Sequence, residues 1–106
     1  MEISATELKD RLDKGEQIVI LDIREPHELQ IAKLDNTVHI PMGELESRVS
    51  ELEEFKGKEI VVYCRTGNRS ARCMHYLQSK GFEKTINLTG GIHAWSDDVD
   101  PEIMKY

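Results

Sequence analysis

The chain has 106 residues, 39% hydrophobic and 32% charged, with a formal net charge of −6. This length suits one core and a single domain over residues 1–106, and the composition is that of a folded globular protein rather than a disordered or collagen-like one. The acidic balance excludes the extended basic face needed for bulk nucleic-acid binding, and apolar runs no longer than IVIL and IVVYC exclude a span of the bilayer, which needs roughly 20 residues.

The acidic, polar start MEISATELKD lacks the basic and apolar segments of a signal peptide. A cytoplasmic location is expected, with both cysteines, Cys64 and Cys73, reduced. Ser4 and Glu7 have capping-box spacing, Ile3 and Leu8 fit a hydrophobic staple, and Leu12 continues the stripe of a first helix that ends before Gly15. The continuous apolar run from Ile18 to Ile23 then reads as a strand buried on both faces, as in parallel sheets.

Pro26 opens a short helix at a first helical position, and NTVHIP gives a short strand stopped by Pro41. Met42, Leu45, Val49, Leu52 and Phe55 mark an amphipathic helix whose glutamate-rich outer face is a solvated surface. IVVYC is a second buried strand with Cys64 at its end. After the loop RTGN, a helix runs from about Arg69 to Lys80, closed by Gly81. TINL is a further strand, TGG a turn, and IHAWSDD a last short helix. Alternating strands and helices predict an α/β fold, an open parallel sheet covered on both faces, which binds ligands outside the carboxyl ends of its strands. Cys64 falls there.

The stretch from Ile60 to Phe82 holds four Lys or Arg and no Asp or Glu. Its six residues from Arg65 to Ser70 (Arg65, Thr66, Gly67, Asn68, Arg69, Ser70) contain no proline, so all six amides are available for an anion-binding nest, and Gly67 permits the tight curl. Amides directed at the Cys64 sulfur favour its thiolate, a helix end assists, and Arg65 and Arg69 at the rim add positive charge that lowers the thiol pKa and draws in an anion. Cys73 shares a helix face with Leu77 and is expected to pack rather than react.

Two loop chemistries compete for such a cysteine. Thiolate phosphatases place five residues between Cys and Arg so that the loop encircles phosphate. Only four residues separate Cys64 from Arg69, and Ser70 stands where a phosphatase has its Arg. The smaller loop suits a single sulfur atom carried on the cysteine.

YCRTGNRSA resembles the active-site loop of single-domain rhodaneses, and LDIREPHE, VHIPMGEL and INLTGGIHAW extend the resemblance over nearly the whole chain, in that family's order. The resemblance implies a three-layer α/β/α fold with a five-stranded parallel sheet. It also implies transfer of sulfane sulfur from an anionic donor such as thiosulfate, through a persulfide on Cys64, to cyanide or a thiol, without a cofactor. Arg65 to Ser70 would form the cradle, with Arg65 and Arg69 guiding the donor. A different reading of the same chemistry is a protein-to-protein relay, taking persulfide from a desulfurase, with the acidic segment from Met42 to Phe55 as a docking face. Where the family commonly has glycines, the chain reads AKLDNT ahead of VHIPM. That change affects a turn and leaves the loop intact.

Asp22 and Arg24, with Glu28 four residues on, are expected to form an ion pair tying helix to sheet, the alternative being a catalytic acid or supporting role, since strand ends approach the site. His27, His39, His75 and His93 lack the paired spacing of metal ligands. Trp95 is expected to pack in the core, and Gly90 and Gly91 to make a turn that the strand end brings near the loop.

Overall fold

A computed structural model describes residues 1–106. Five parallel strands form one sheet: β1 (Glu2–Ile3), β2 (Val19–Asp22), β3 (Val38–His39), β4 (Ile60–Tyr63) and β5 (Thr85–Leu88), in the order β1-β5-β4-β2-β3. The helices are α1 (Ala5–Asp13), α2 (Pro26–Ile31), α3 (Leu45–Arg48), α4 (Asn68–Ser79) and α5 (Gly91–Asp98). The expected α/β architecture with five parallel strands is thus present. No helix is long and apolar enough to cross a membrane.

Alternation along β4 explains its unbroken apolar sequence. Val61 and Tyr63 enter a core shared with Ala5, Leu8, Ile92 and Trp95 of α1 and α5. Ile60, Val62 and Cys64 enter the opposite core, with Leu45, Leu52, Cys73 and Leu77. A strand buried on both faces has no polar side to show. The same alternation sends the Cys64 side chain toward α4.

Local signals mostly act as their chemistry dictates. Ser4 caps α1 by accepting from the Glu7 amide at 3.1 Å, and Pro26 stands in the first turn of α2, where Glu25 and Glu28 form the capping box. Trp95 lies in the core at 9% exposure. In the glycine-poor turn AKLDNT, Asn36 takes the left-handed conformation at φ 56°, which a short amide side chain tolerates.

Two elements differ from expectation. The segment Met42–Phe55 is not one α-helix: 3₁₀ turns at Met42–Glu44 and Val49–Phe55 flank the single α turn of α3. Three of the four intervals between its apolar residues are three residues long, which is the 3₁₀ repeat rather than the α repeat. Strand β1 was not expected, because two residues carry no periodicity; Glu2 and Ile3 pair in register with Asn87 and Leu88.

Asp22 and Arg24 are both fully buried at the end of β2. Arg24 donates to the Asp22 carboxylate through Nε at 3.0 Å and Nη2 at 2.8 Å, and to the Ala32 carbonyl at 2.9 Å. Tyr63, in register with Asp22, donates its hydroxyl to the same carboxylate at 2.6 Å. Burial first, then the adjacent carboxylate, raise the Tyr63 pKa.

Asp22→Ala leaves a guanidinium buried without its counter-ion and is expected to cost about 3–5 kcal/mol in urea unfolding; a loss under about 1 kcal/mol would mean that water or another group replaces the carboxylate. Gly91→Ala is also expected to destabilise. Gly91 has φ 58°, and a Cβ there would meet the Cys64 carbonyl and stand 2.6 Å from the Arg65 carbonyl oxygen. Left-handed strain plus overpacking predicts a loss of about 2–4 kcal/mol, checked by the same measurement.

Candidate active site

Cys64 follows the last residue of β4 and precedes the Gly67 N-cap of α4, where Gly67 takes φ 106°. The thiol is a free cysteine at 1% exposure. Amide donors converge on its sulfur: Gly67 N–H at 3.1 Å and Ser70 N–H at 3.4 Å, with the Ser70 hydroxyl also at 3.4 Å. Burial by itself raises the pKa of this thiol; the Ser70 hydroxyl and the amides of Ser70, Gly67 and Thr66 outweigh burial and hold it below its ordinary value. The hydroxyl and the amides come ahead of the arginine charges, and the attraction between Arg69 and Cys64 has the expected direction.

The Ser70 hydroxyl has one proton and three neighbours that can accept it. It lies against Asn87 Oδ1, 3.2 Å from the Gly67 carbonyl and 3.4 Å from the sulfur. Facing a neutral thiol, it donates to Asn87 and accepts from the S–H; facing a thiolate, it must turn its proton to the sulfur. The amides need no such turn.

Asn87 is a site residue that reading the sequence missed. Its Nδ2 donates to the Gly67 carbonyl at 3.2 Å and to Glu2 Oε2 at 3.1 Å, so it ties the curl of the loop to β1. A polar residue inside the apolar run TINL was the available signal. From the other side, the turn after β5 closes on the loop, with Ile92 N–H donating to the Cys64 carbonyl at 2.9 Å and His93 N–H to that of Arg65 at 3.1 Å. Gly90 and Gly91 therefore do bring their turn beside the loop.

Arg69 is not a free rim charge. Both terminal nitrogens of Arg69 donate to Glu28, each at 2.8 Å; this contact, foremost, holds the Glu28 carboxyl at about 2. Glu28 was expected to pair with Arg24, but Arg24 reaches only its backbone carbonyl, at 3.5 Å. Asp22 takes Nε and Nη2 of Arg24 and the Tyr106 hydroxyl takes Nη1, so the buried Glu28 carboxylate pairs with Arg69 on α4 instead. Arg65 is exposed, with Nε 3.3 Å from His93 Nε2. Thr66 and Asn68 are exposed on the outer face of the loop. Cys73, equally free, is 3% exposed, and burial pushes its thiol up to about 11.

Residues 4–98 match the family described as the rhodanese-like domain. The chain is 37% identical to the putative sulfurtransferase YtwF of Bacillus subtilis, covering 95% of each chain. It is 35% identical to the adenylyltransferase and sulfurtransferase MOCS3 of Arabidopsis thaliana, over 98% of this chain and 25% of that protein. The chain thus spans about a quarter of the length of the plant relatives it matches. Among solved structures, a rhodanese-related protein from Thermoplasma volcanium superposes with a TM-score of 0.82 at 32% identity, covering 92% of both chains. Sequence and sheet lead to the same place, and this chain belongs to the rhodanese-like domain family.

Proposed function

We propose that this chain is a sulfurtransferase that carries sulfane sulfur as a persulfide on Cys64. The observation that carries this reading is a buried thiol at a strand end whose ionised form the Gly67 and Ser70 amides favour. The relatives named as sulfurtransferases support it. So does Arg69, which is bound to Glu28 and not turned in to close a phosphate-sized ring.

In the proposed cycle, the Cys64 thiolate attacks the outer sulfur of an anionic donor. With thiosulfate, a new S–S bond forms to Cys64, the old S–S bond breaks, and sulfite leaves with its electron pair. The terminal sulfur of the persulfide is then anionic, and the amides that held the thiolate are suited to hold it. Cyanide or a thiolate next attacks that terminal sulfur, departing as thiocyanate or a new persulfide, and the Cys64 thiolate is regenerated. Charge moves and no electron is gained or lost overall, so the cycle requires no cofactor.

A second reading, a relay between proteins, has its own observation. Cys64 is 1% exposed, and outside it the loop presents Arg65, Thr66 and Asn68 to solvent. A partner that covers this face brings its own persulfide to the sulfur, as with a desulfurase donor. In both readings the reaction is cytoplasmic.

Intact-mass measurement after thiosulfate treatment is expected to show the mass of one added sulfur on the wild type and none on Cys64→Ala; the same gain on both proteins would sink the assignment. Fast loading by a desulfurase with negligible thiosulfate turnover would select the relay. The pH profile of Cys64 alkylation tests the cradle. Ser70→Ala is expected to move the midpoint to higher pH yet leave it below the ~8.5 of a free cysteine, because the amides remain. A midpoint at or above that of free cysteine would transfer the effect from the amides to the hydroxyl.

A further inference from the structure

Tyr106 lies beyond residues 4–98, the span that matches the family, yet its side chain sits among the charges that surround the Cys64 loop. Its hydroxyl accepts from Arg24 Nη1 at 2.8 Å and donates to Glu28 Oε1 at 3.0 Å. Its ring centroid is 5.0 Å from the Arg65 guanidinium carbon and 5.9 Å from that of Arg24. His93 meets the ring edge-on, with centroids 5.9 Å apart, and its Nε2 faces Arg65 Nε.

The two loop arginines are therefore unequal. Arg69 has a carboxylate on both terminal nitrogens, and the pair presents little net charge to an incoming anion. Arg65 has no carboxylate partner: it is held by a π face and an imidazole nitrogen, neither of which cancels its charge. An exposed arginine otherwise samples many rotamers. Stacked on Tyr106, the cation stays at one place beside the loop without being neutralised.

Resting on the sulfur-transfer reading, we propose that Tyr106 is a positioning residue that fixes Arg65 as the anion-recruiting cation of the site, and that the donor is accordingly a small anion. The ring does this work. The hydroxyl serves a separate task, bracing Glu28 and through it Arg69. Tyr106 acts on the donor only through Arg65, so it affects recruitment and not the bond exchange at sulfur.

The test compares rates of Cys64 alkylation by iodoacetate and by iodoacetamide, followed by peptide mass. The reagents share a mechanism and differ by one negative charge, so their rate ratio reads the local cation and cancels changes in thiol pKa. Tyr106→Phe keeps the ring and is expected to keep the wild-type ratio. Tyr106→Leu fills similar space without a π face and is expected to lower the ratio about three- to tenfold, as one displaced unit charge does at this range. Arg65→Ala is expected to lower it equally, and the double variant no further, since both act through one cation. In thiosulfate turnover, Tyr106→Leu raises KM and leaves kcat unchanged. A wild-type ratio in folded Tyr106→Leu, a fall in Tyr106→Phe, or a further fall in the double variant overturns the proposal. Alkylation requires only the thiolate, so a chain that fails to load sulfur while showing these ratios refutes the sulfur reading and not the positioning role.

Discussion

The carboxylate of Asp22 is the fixed point of the molecule. It is fully buried, and a lone anion in that position would be strongly unfavourable, so its surroundings are constrained to supply donors. Arg24 and Tyr63 do so, and each is then positioned for a second task. Tyr63 accepts from the Leu34 amide at 3.3 Å and so anchors the crossing to β3. Arg24 grips the Ala32 carbonyl and the Tyr106 hydroxyl, and Tyr106 passes the constraint to Glu28 and then to Arg69 on α4. A continuous line of charged hydrogen bonds therefore runs from the sheet to α4, the helix into which the Cys64 loop runs. Removing one member of such a line leaves another buried polar group unpaired, which is why the line resists piecemeal loss.

Features that act over a few residues could be read before the fold was seen. The double-sided burial of β2 and β4 appears as unbroken apolar runs, the curl of the loop as Gly67, and the candidate site as a cysteine between strand and helix. Features that depend on distant partners could not. Glu28 and Arg69 are 41 positions apart, and Tyr106 meets Glu28 across 78. From sequence, Glu28 had a nearer candidate in Arg24, at helical spacing. The buried demand of Asp22 decided the matter, and burial of that kind is a property of the fold. Likewise, the arginines of the loop announced positive charge but not its fate: one is neutralised and the other is stacked.

The two cysteines isolate what the loop contributes to reactivity. Both are free and nearly inaccessible, and both belong to the core on the α4 side of the sheet. Burial alone raises a thiol pKa, and for Cys73, amid apolar side chains, that is the outcome, at about 11. Cys64 has the same burial and the opposite shift, so neither depth nor solvent accounts for the difference. What differs is the set of donors aimed at the sulfur.

Those donors are of two kinds, and they behave differently as charge develops. The amides of Gly67 and Ser70 are fixed by the loop and by the first turn of α4; they face the sulfur before and after ionisation and need not reorganise. The Ser70 hydroxyl must release Asn87 before it can serve a thiolate, so part of what it gives the sulfur it takes from Asn87 Oδ1. Asn87 is itself held through its Nδ2 by Glu2 and the Gly67 carbonyl, and cannot readily follow. The hydroxyl is thus a donor with a competing commitment, and the amide curl is the constant part of the site. That curl depends on Gly67 at its left-handed position and on a helix beginning directly after it, both of which a six-residue loop with no proline makes possible.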